Sequence, residues 1–190
     1  MRRATQRHYT LDDYFSVEEM SEVKHEYYDG EIFALAGASL DHNQITGNLF
    51  AFLKNALRGT SCRAFASDLR ICTPSGLYTY PDVAVICGEI KLSGDRLETV
   101  TNPVLLAEVL SDSTRDYDRG DKFTLYRTIP TLREYLLIEQ DEVFVEHFSL
   151  EGDEWRKREY RQAEDPLWLW AIKVTIPAAE IYAGVEFRRR

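Results

Sequence analysis

The apolar residues of this chain change their spacing along its length, and each change marks an expected element. Ile45, Leu49, Phe52, Leu53 and Ala56 recur at threes and fours, the period of a helix that buries one face, so a helix is expected over about residues 43–57 with Gly59 as its stop. Two later runs are apolar without alternation, Val83-Ala84-Val85-Ile86 and Pro103 to Leu110, as in strands covered on both faces. Strands are read over residues 80–86 and 104–110 on that basis, with shorter ones at 62–66 and 68–72. Residues 24–28 and 31–35 flank Asp29-Gly30, the strongest short hairpin signal. A second hairpin joins residues 134–139 to 142–148 about Gln140-Asp141, and a further strand covers 155–160.

Capping residues set the remaining helices. Thr10 precedes Leu11-Asp12-Asp13-Tyr14-Phe15, an N-cap with acids in the first turn, and Leu11, Tyr14 and Phe15 should face inward. Ser111-Asp112-Ser113-Thr114 supplies several N-caps for one helix ending near Thr128, ahead of Pro130. Residues 88–102 are polar without a period and read as a loop; residues 167–176 form a last apolar stretch ending in a strand, and Pro177 opens a terminal helix through Ala178 and Ile181. No repeat or linker interrupts the chain, so one domain over residues 1–190 is expected, its core at about 10–182 and Arg188-Arg189-Arg190 a frayed tail.

Composition adds constraints. At 190 residues with 44% apolar and 12% aromatic content the chain can bury a sizeable core. A formal charge of -9 excludes a protein that coats nucleic acid through a general positive field, but leaves room for a local basic groove. The acidic surplus fits either a solvated surface or carboxylates gathered round a divalent cation. Cys62, Cys72 and Cys87 are odd in number and lack C-x-x-C spacing, so neither a disulfide framework nor a zinc knuckle is indicated, and all three are expected as small core residues. Met1-Arg2-Arg3 leads into polar residues and no window approaches the ~18 apolar residues of a membrane span, which gives the expectation of a soluble, cytoplasmic protein with no membrane contact. Trp168 and Trp170 belong either to the core or to an interface, such as that of a homodimer.

Two carboxylates break the apolar strands. Asp82 heads the first run and Glu108 lies inside the second, and a carboxylate on a central strand is costly unless it is paired, protonated or bound to a metal. Period two puts Asp82, Ala84 and Ile86 on one face of their strand and Leu106 and Glu108 on one face of theirs, so neighbouring strands would bring the carboxylates together. A divalent cation between them would remove their repulsion, and hard oxygen ligands favour Mg2+ or Mn2+ over zinc. Either residue alone has a plainer reading, Asp82 as a turn cap and Glu108 as an arginine partner. Asp118 and Lys122, four apart, are either a surface pair or a route by which an ammonium reaches the carboxylates.

Pro81-Asp82, then Glu108-Val109-Leu110-Ser111-x-x-Thr114, then Asp118-Arg119-x-x-Lys122 and Tyr126 resemble the putative restriction endonuclease family of the PD-(D/E)XK nuclease superfamily. Glu26-x-x-Asp29-Gly30-Glu31 and Ala36-Gly37-Ala38-Ser39-x-x-His42 are similar to that family's N-terminal half, and the resemblance extends over about residues 10–180. It implies an α/β (α+β) fold with a restriction-endonuclease-like core, a mixed β-sheet flanked by helices with additional hairpins, and hydrolysis of DNA phosphodiester bonds. The superfamily lysine two residues after the glutamate is Leu110 here, and Lys122 stands where the family has moved that role. Phosphodiester hydrolysis needs a cation held by carboxylates and a positive group near the nucleophile, which makes Asp82, Glu108 and the Val109 carbonyl the ligands and Lys122 the group that orients water and steadies phosphate charge. Glu26 is either a further metal ligand or an exposed strand residue, His42 either a capping group or, by the family motif, a neighbour of the phosphate, and Arg115 and Arg119 either meet DNA phosphates or decorate the helix. Tyr126 is read first as packing behind the site. Two alternatives stand beside the nuclease: an inactive scaffold that binds nucleic acid or a protein partner, and a phosphoesterase acting on RNA or small nucleotides.

Overall fold

The two apolar runs lie side by side at the centre of a mixed sheet. The computed structural model describes residues 8–95 and 97–187, so the tail at 188–190 and the first residues lie outside what is described. In chain order the elements are α1 (Leu11–Met20), β1 (His25–Tyr28), β2 (Glu31–Ala34), α2 (Leu40–Ala56), β3 (Cys62–Ala66), β4 (Ile71–Cys72), β5 (Tyr78–Thr79), β6 (Val83–Cys87) and β7 (Leu105–Leu110). They continue with α3 (Arg115–Arg119), α4 (Asp121–Tyr126), β8 (Glu134–Glu139), β9 (Val145–Glu151), β10 (Glu154–Tyr160), β11 (Pro166–Leu169), β12 (Val174–Pro177) and α5 (Ala178–Ile181). The main sheet runs β10-β9-β8-β7-β6-β3, with β7 and β8 parallel and the other neighbours antiparallel.

Every residue of β7 and β8 is buried, which is why these strands read as apolar without alternation. Alternate residues of β7 serve different layers. Leu105, Ala107 and Val109 join a core with Ile45, Leu49 and Leu53 of α2 and with β11, β12 and α5. Leu106 and Leu110 join the opposite core with Phe123, Leu125 and Tyr126 of α4. A second sheet, β2-β1-β5-β4, is covered by α1, whose Tyr14 and Phe15 are buried against Tyr78 and Cys72 while Leu11 is half-buried. Thr10 caps α1 reciprocally with Asp13. Asp29 and Gly30 both have positive φ, 47° and 81°, the conformation that makes Asp-Gly a tight hairpin turn.

Several expectations are corrected. The helix expected from residue 43 begins at Leu40, because Ser39 accepts from His42 N and caps it earlier. Residues 80–82 are not strand: β5 ends at Thr79 and β6 starts at Val83, with Pro81, which has no N–H to donate, between them. The single helix expected up to Thr128 is two short ones, broken at Gly120. The turn of the second hairpin is longer than Gln140-Asp141, since β9 begins at Val145. The 167–176 stretch is a complete hairpin, β11–β12. Within the expected loop, Val100 forms bridges with Ile71 and Leu92.

The cysteines depart furthest from expectation. Cys62 and Cys87 face each other in the β3–β6 register and form a disulfide, while Cys72 is buried with a free thiol. A cross-strand pair has no signature in sequence spacing, which is why counting missed it. Trp168 and Trp170 face outward from the β11 hairpin, 49% and 37% exposed, and so are not core. Among the described residues no helix is long and apolar enough to cross a membrane.

Candidate active site

The β6–β7 register pairs Val83 with Ala107 and Ala84 with Leu106, so one step further Asp82 lies opposite Glu108. The two are joined through the backbone: Asp82 N donates to Glu108 Oε2 at 3.3 Å, and Val109 N donates to Asp82 Oδ2 at 2.8 Å. Glu108 is on the face of β7 shared with Leu106 and Leu110, so it points into the layer that holds α4.

From α4 comes the cation. Lys122 Nζ lies 3.0 Å from Glu108 Oε1, 3.1 Å from Glu26 Oε1 and 3.3 Å from Asp118 Oδ1, with 6% of its side chain exposed. The Asp118–Lys122 pair is therefore buried, not a surface decoration. Glu26 reaches Lys122 from β1 and also accepts from Thr79 Oγ1. Tyr126, one turn beyond Lys122, donates its phenol to Glu108 Oε1 at 2.6 Å, so it does more than pack. His42 comes from the first turn of α2, its Nε2 3.2 Å from Asp82 Oδ2, and its Nδ1 is buried without a hydrogen-bond partner among the described residues. The α2 N-terminus is held there by Ser39, whose hydroxyl donates to Gln140 Oε1 at 2.6 Å.

Four carboxylates, Glu26, Asp82, Glu108 and Asp118, thus surround one ammonium and one imidazole. The surplus of negative charge shows in the titration of the group. Burial, with help from Asp118 and Asp82, raises Glu108 to about 8 although Lys122 and Tyr126 pull it down. Asp118 is raised by burial, against Lys122 and Thr114. Burial would lower Lys122, yet Glu108, Tyr126, Glu26 and Asp118 hold it well above the ordinary lysine value, so it stays charged. For His42 burial again acts downward, and contact with Asp82, assisted by Glu108, raises it overall.

These groups open onto a cleft of about 680 Å³, lined among others by Glu26, His42, Asp82, Glu108, Tyr117 and Lys122. The donors available to a metal are hard carboxylate oxygens of Asp82 and Glu108. Among the described residues no three His, Cys, Asp or Glu side chains close round one point as a ready-made cage. Hard carboxylate oxygens are the donor type that fits a magnesium or manganese ion.

Arg115 and Arg119 stand elsewhere. Neither lines the cleft: Arg119 is bound to Glu139 at 2.7 Å and Glu146 at 2.6 Å, and Arg115 to Glu139 at 2.9 Å and Asp141 at 3.5 Å. Sequence reasoning passed over Lys24, Tyr117 and Thr79, all close to the centre. Lys24 and Thr79 had a signal, since Lys24 stands two residues before Glu26 and Thr79 three before Asp82.

Residues 11–179 match the family described as "Putative restriction endonuclease" (Uma2). Two proteins of Synechocystis sp. are similar. The uncharacterized protein sll1609 is 44% identical over 151 residues, 79% of this chain and 85% of that protein. The uncharacterized protein slr1290 is 40% identical over 181 residues, 93% of this chain and 92% of that protein. Among solved structures, the crystal structure of a putative nuclease belonging to DUF820 from Anabaena variabilis superimposes with a TM-score of 0.73 at 15% identity, covering 92% of this chain and 97% of that one. The mixed sheets flanked by helices are the fold expected from the resemblance.

Proposed function

The chain belongs to the Uma2 family of restriction-endonuclease-like proteins, and from that premise we propose that the cleft hydrolyses DNA phosphodiester bonds with the help of Mg2+ or Mn2+. The observation that carries the reading is the buried Lys122 ammonium in contact with Glu108 beside Asp82, amid more carboxylates than it can neutralise. A structural ion pair needs one acid per base; this site holds an excess, which is the arrangement expected where a further cation is to bind.

Asp82 and Glu108 would hold the cation, with the Val109 carbonyl beside them and Glu26 as a further carboxylate at the cluster. When bound, such a cation polarises a phosphoryl oxygen and makes a water more acidic. The protein's own groups do the rest. Lys122 orients the attacking water and balances charge gathering on the phosphate, and Glu26 and Asp118 keep its ammonium charged and aimed. Tyr126 fixes one oxygen of Glu108, which leaves the other turned toward Asp82. His42 steadies Asp82 and stands at the edge where a phosphate would enter.

A second reading, hydrolysis of RNA or small nucleotides, is favoured by one observation: the cleft is lined by more acids than bases and so offers little grip for a long duplex. Supercoiled plasmid, an RNA strand and dinucleotides, each incubated with Mg2+, Mn2+ or chelator, separate the two. Nicking of plasmid only with metal, lowered at least ~100-fold in Asp82→Asn and Glu108→Gln, is the expected result. Equal nicking by Asp82→Asn would place the active site elsewhere, and metal-dependent cleavage of RNA alone would favour the second reading. A homodimer formed through the outward Trp168 and Trp170 is part of the same proposal, and sedimentation velocity of the Trp168→Ser, Trp170→Ser variant tests it.

A further inference from the structure

We infer that Lys24, and neither arginine of α3, is the side-chain cation that grips a phosphate of the substrate; the inference rests on the cleft being a nuclease site. Among the described residues that line the cleft, the Lys and Arg side chains are Lys24 and Lys122. Lys122 is committed to three carboxylates. Arg115 and Arg119 are held outside the cleft by Glu139, Glu146 and Asp141.

Lys24 is placed for the task by the β1–β2 hairpin. Its carbonyl accepts from Leu35 N at 2.9 Å, which extends the ladder one residue beyond β1. Period two then puts Lys24 on the side of the strand that carries Glu26, the side that faces Lys122. The ammonium lies 5.5 Å from the centre of the Tyr80 ring, and Tyr80 lines the same cleft two residues before Asp82. It therefore lines the same cleft as the carboxylate pair, yet is not part of the buried cluster.

What separates Lys24 from Lys122 is the cost of letting go. Lys24 donates to Ser67 O at 2.8 Å and to Asp68, and the Asp68 side chain is 89% exposed. A pair with so exposed an acid is weak and solvent-screened, so a phosphate can replace Asp68 at the ammonium without leaving a buried charge bare. The stem, 38% exposed, has room to move. Lys24 with its exchangeable partner is thus a cation that stays loosely engaged until a phosphate enters a cleft otherwise rich in acid.

The test is equilibrium binding of short labelled single-stranded and duplex DNA, followed by anisotropy against salt concentration, in chelator so that nothing is cut. Compared are the wild type, Lys24→Gln, Asp68→Asn and Arg115→Gln. Lys24→Gln should bind several-fold more weakly and lower the slope of log affinity against log salt by about 0.7 on single strands and about 0.9 on duplex. Asp68→Asn should bind more tightly, because it removes the competitor, and Arg115→Gln should keep the wild-type slope. If Lys24 is only a tether for the loop at Ser67 and Asp68, Lys24→Gln and Asp68→Asn will weaken binding together, which overturns the inference. An unchanged slope in Lys24→Gln overturns it too, while leaving the nuclease reading intact. A wild type that binds neither DNA in chelator, nor with Mg2+ supplied, fails at the earlier step and removes the nuclease reading along with this one.

Discussion

At the scale of single residues, Glu108 is held by Tyr126 and Lys122. Tyr126 donates to it at 2.6 Å inside a fully buried layer, so Tyr126→Phe leaves the volume filled and removes the donor. The expected cost is about 1 kcal/mol in urea unfolding at neutral pH, the range for a hydrogen bond to an uncharged group. Glu108 also dictates a pH dependence. Its folded pKa of about 8 lies above the ~4.3 of an unfolded glutamate, so the folded protein holds a proton that the unfolded chain gives up. Its stabilising contribution is full below about pH 4 and is lost as pH rises through about 8. Urea unfolding of chelated protein should show that decline, and Glu108→Gln should flatten it; an equally steep decline in the variant would assign it to other groups. Legibility differs among the buried acids. Glu108 and Glu134 both sit in apolar strands, but Glu134 is wholly occupied by Trp170 N, Ala171 N and His147 Nε2 at 2.9–3.1 Å. It ties the β11–β12 hairpin to β8 and is structural. Nothing in the local sequence separates the two, because the partners that decide the matter come from other elements, α4 for Glu108 and β9 and the β11–β12 turn for Glu134.

At the scale of elements, the site depends on a break. Gly120 lets the chain leave α3 and restart as α4, which turns Lys122 toward β7. A Cβ at this position would stand 3.0 Å from Asp116 O, and that neighbour is backbone. Gly120→Ala should therefore cost more than about 1 kcal/mol in urea unfolding and reduce cleavage as well, since the break and the lysine move together. A variant as stable and active as the wild type would show that the break is not what aims Lys122. The elements themselves were largely readable: the 3.6 period gave α2, the unbroken apolar runs gave β6 and β7, and Asp29-Gly30 gave the first hairpin. What was not readable were boundaries set by single hydrogen bonds or by one missing N–H, such as the Ser39 cap and Pro81, and the partition of one helical pattern into two at Gly120. The Cys62–Cys87 bond belongs with these, since it follows from strand register and not from spacing.

At the scale of the whole molecule, one sheet carries two different cores, and the centre forms where they meet. α2 from one layer delivers His42 to Asp82, α4 from the other delivers Lys122 and Tyr126 to Glu108, and β1 of the second sheet adds Glu26. The central claim is that Lys122 acts on the reaction and is not merely the counterion of a buried acid cluster. Single-turnover cleavage of DNA by Lys122→Met in saturating Mg2+, read beside the magnesium-induced rise in melting temperature, tests it most directly. The expected result is that the metal still stabilises the variant while cleavage falls at least ~100-fold. Cleavage at the wild-type rate in Lys122→Met would contradict the account.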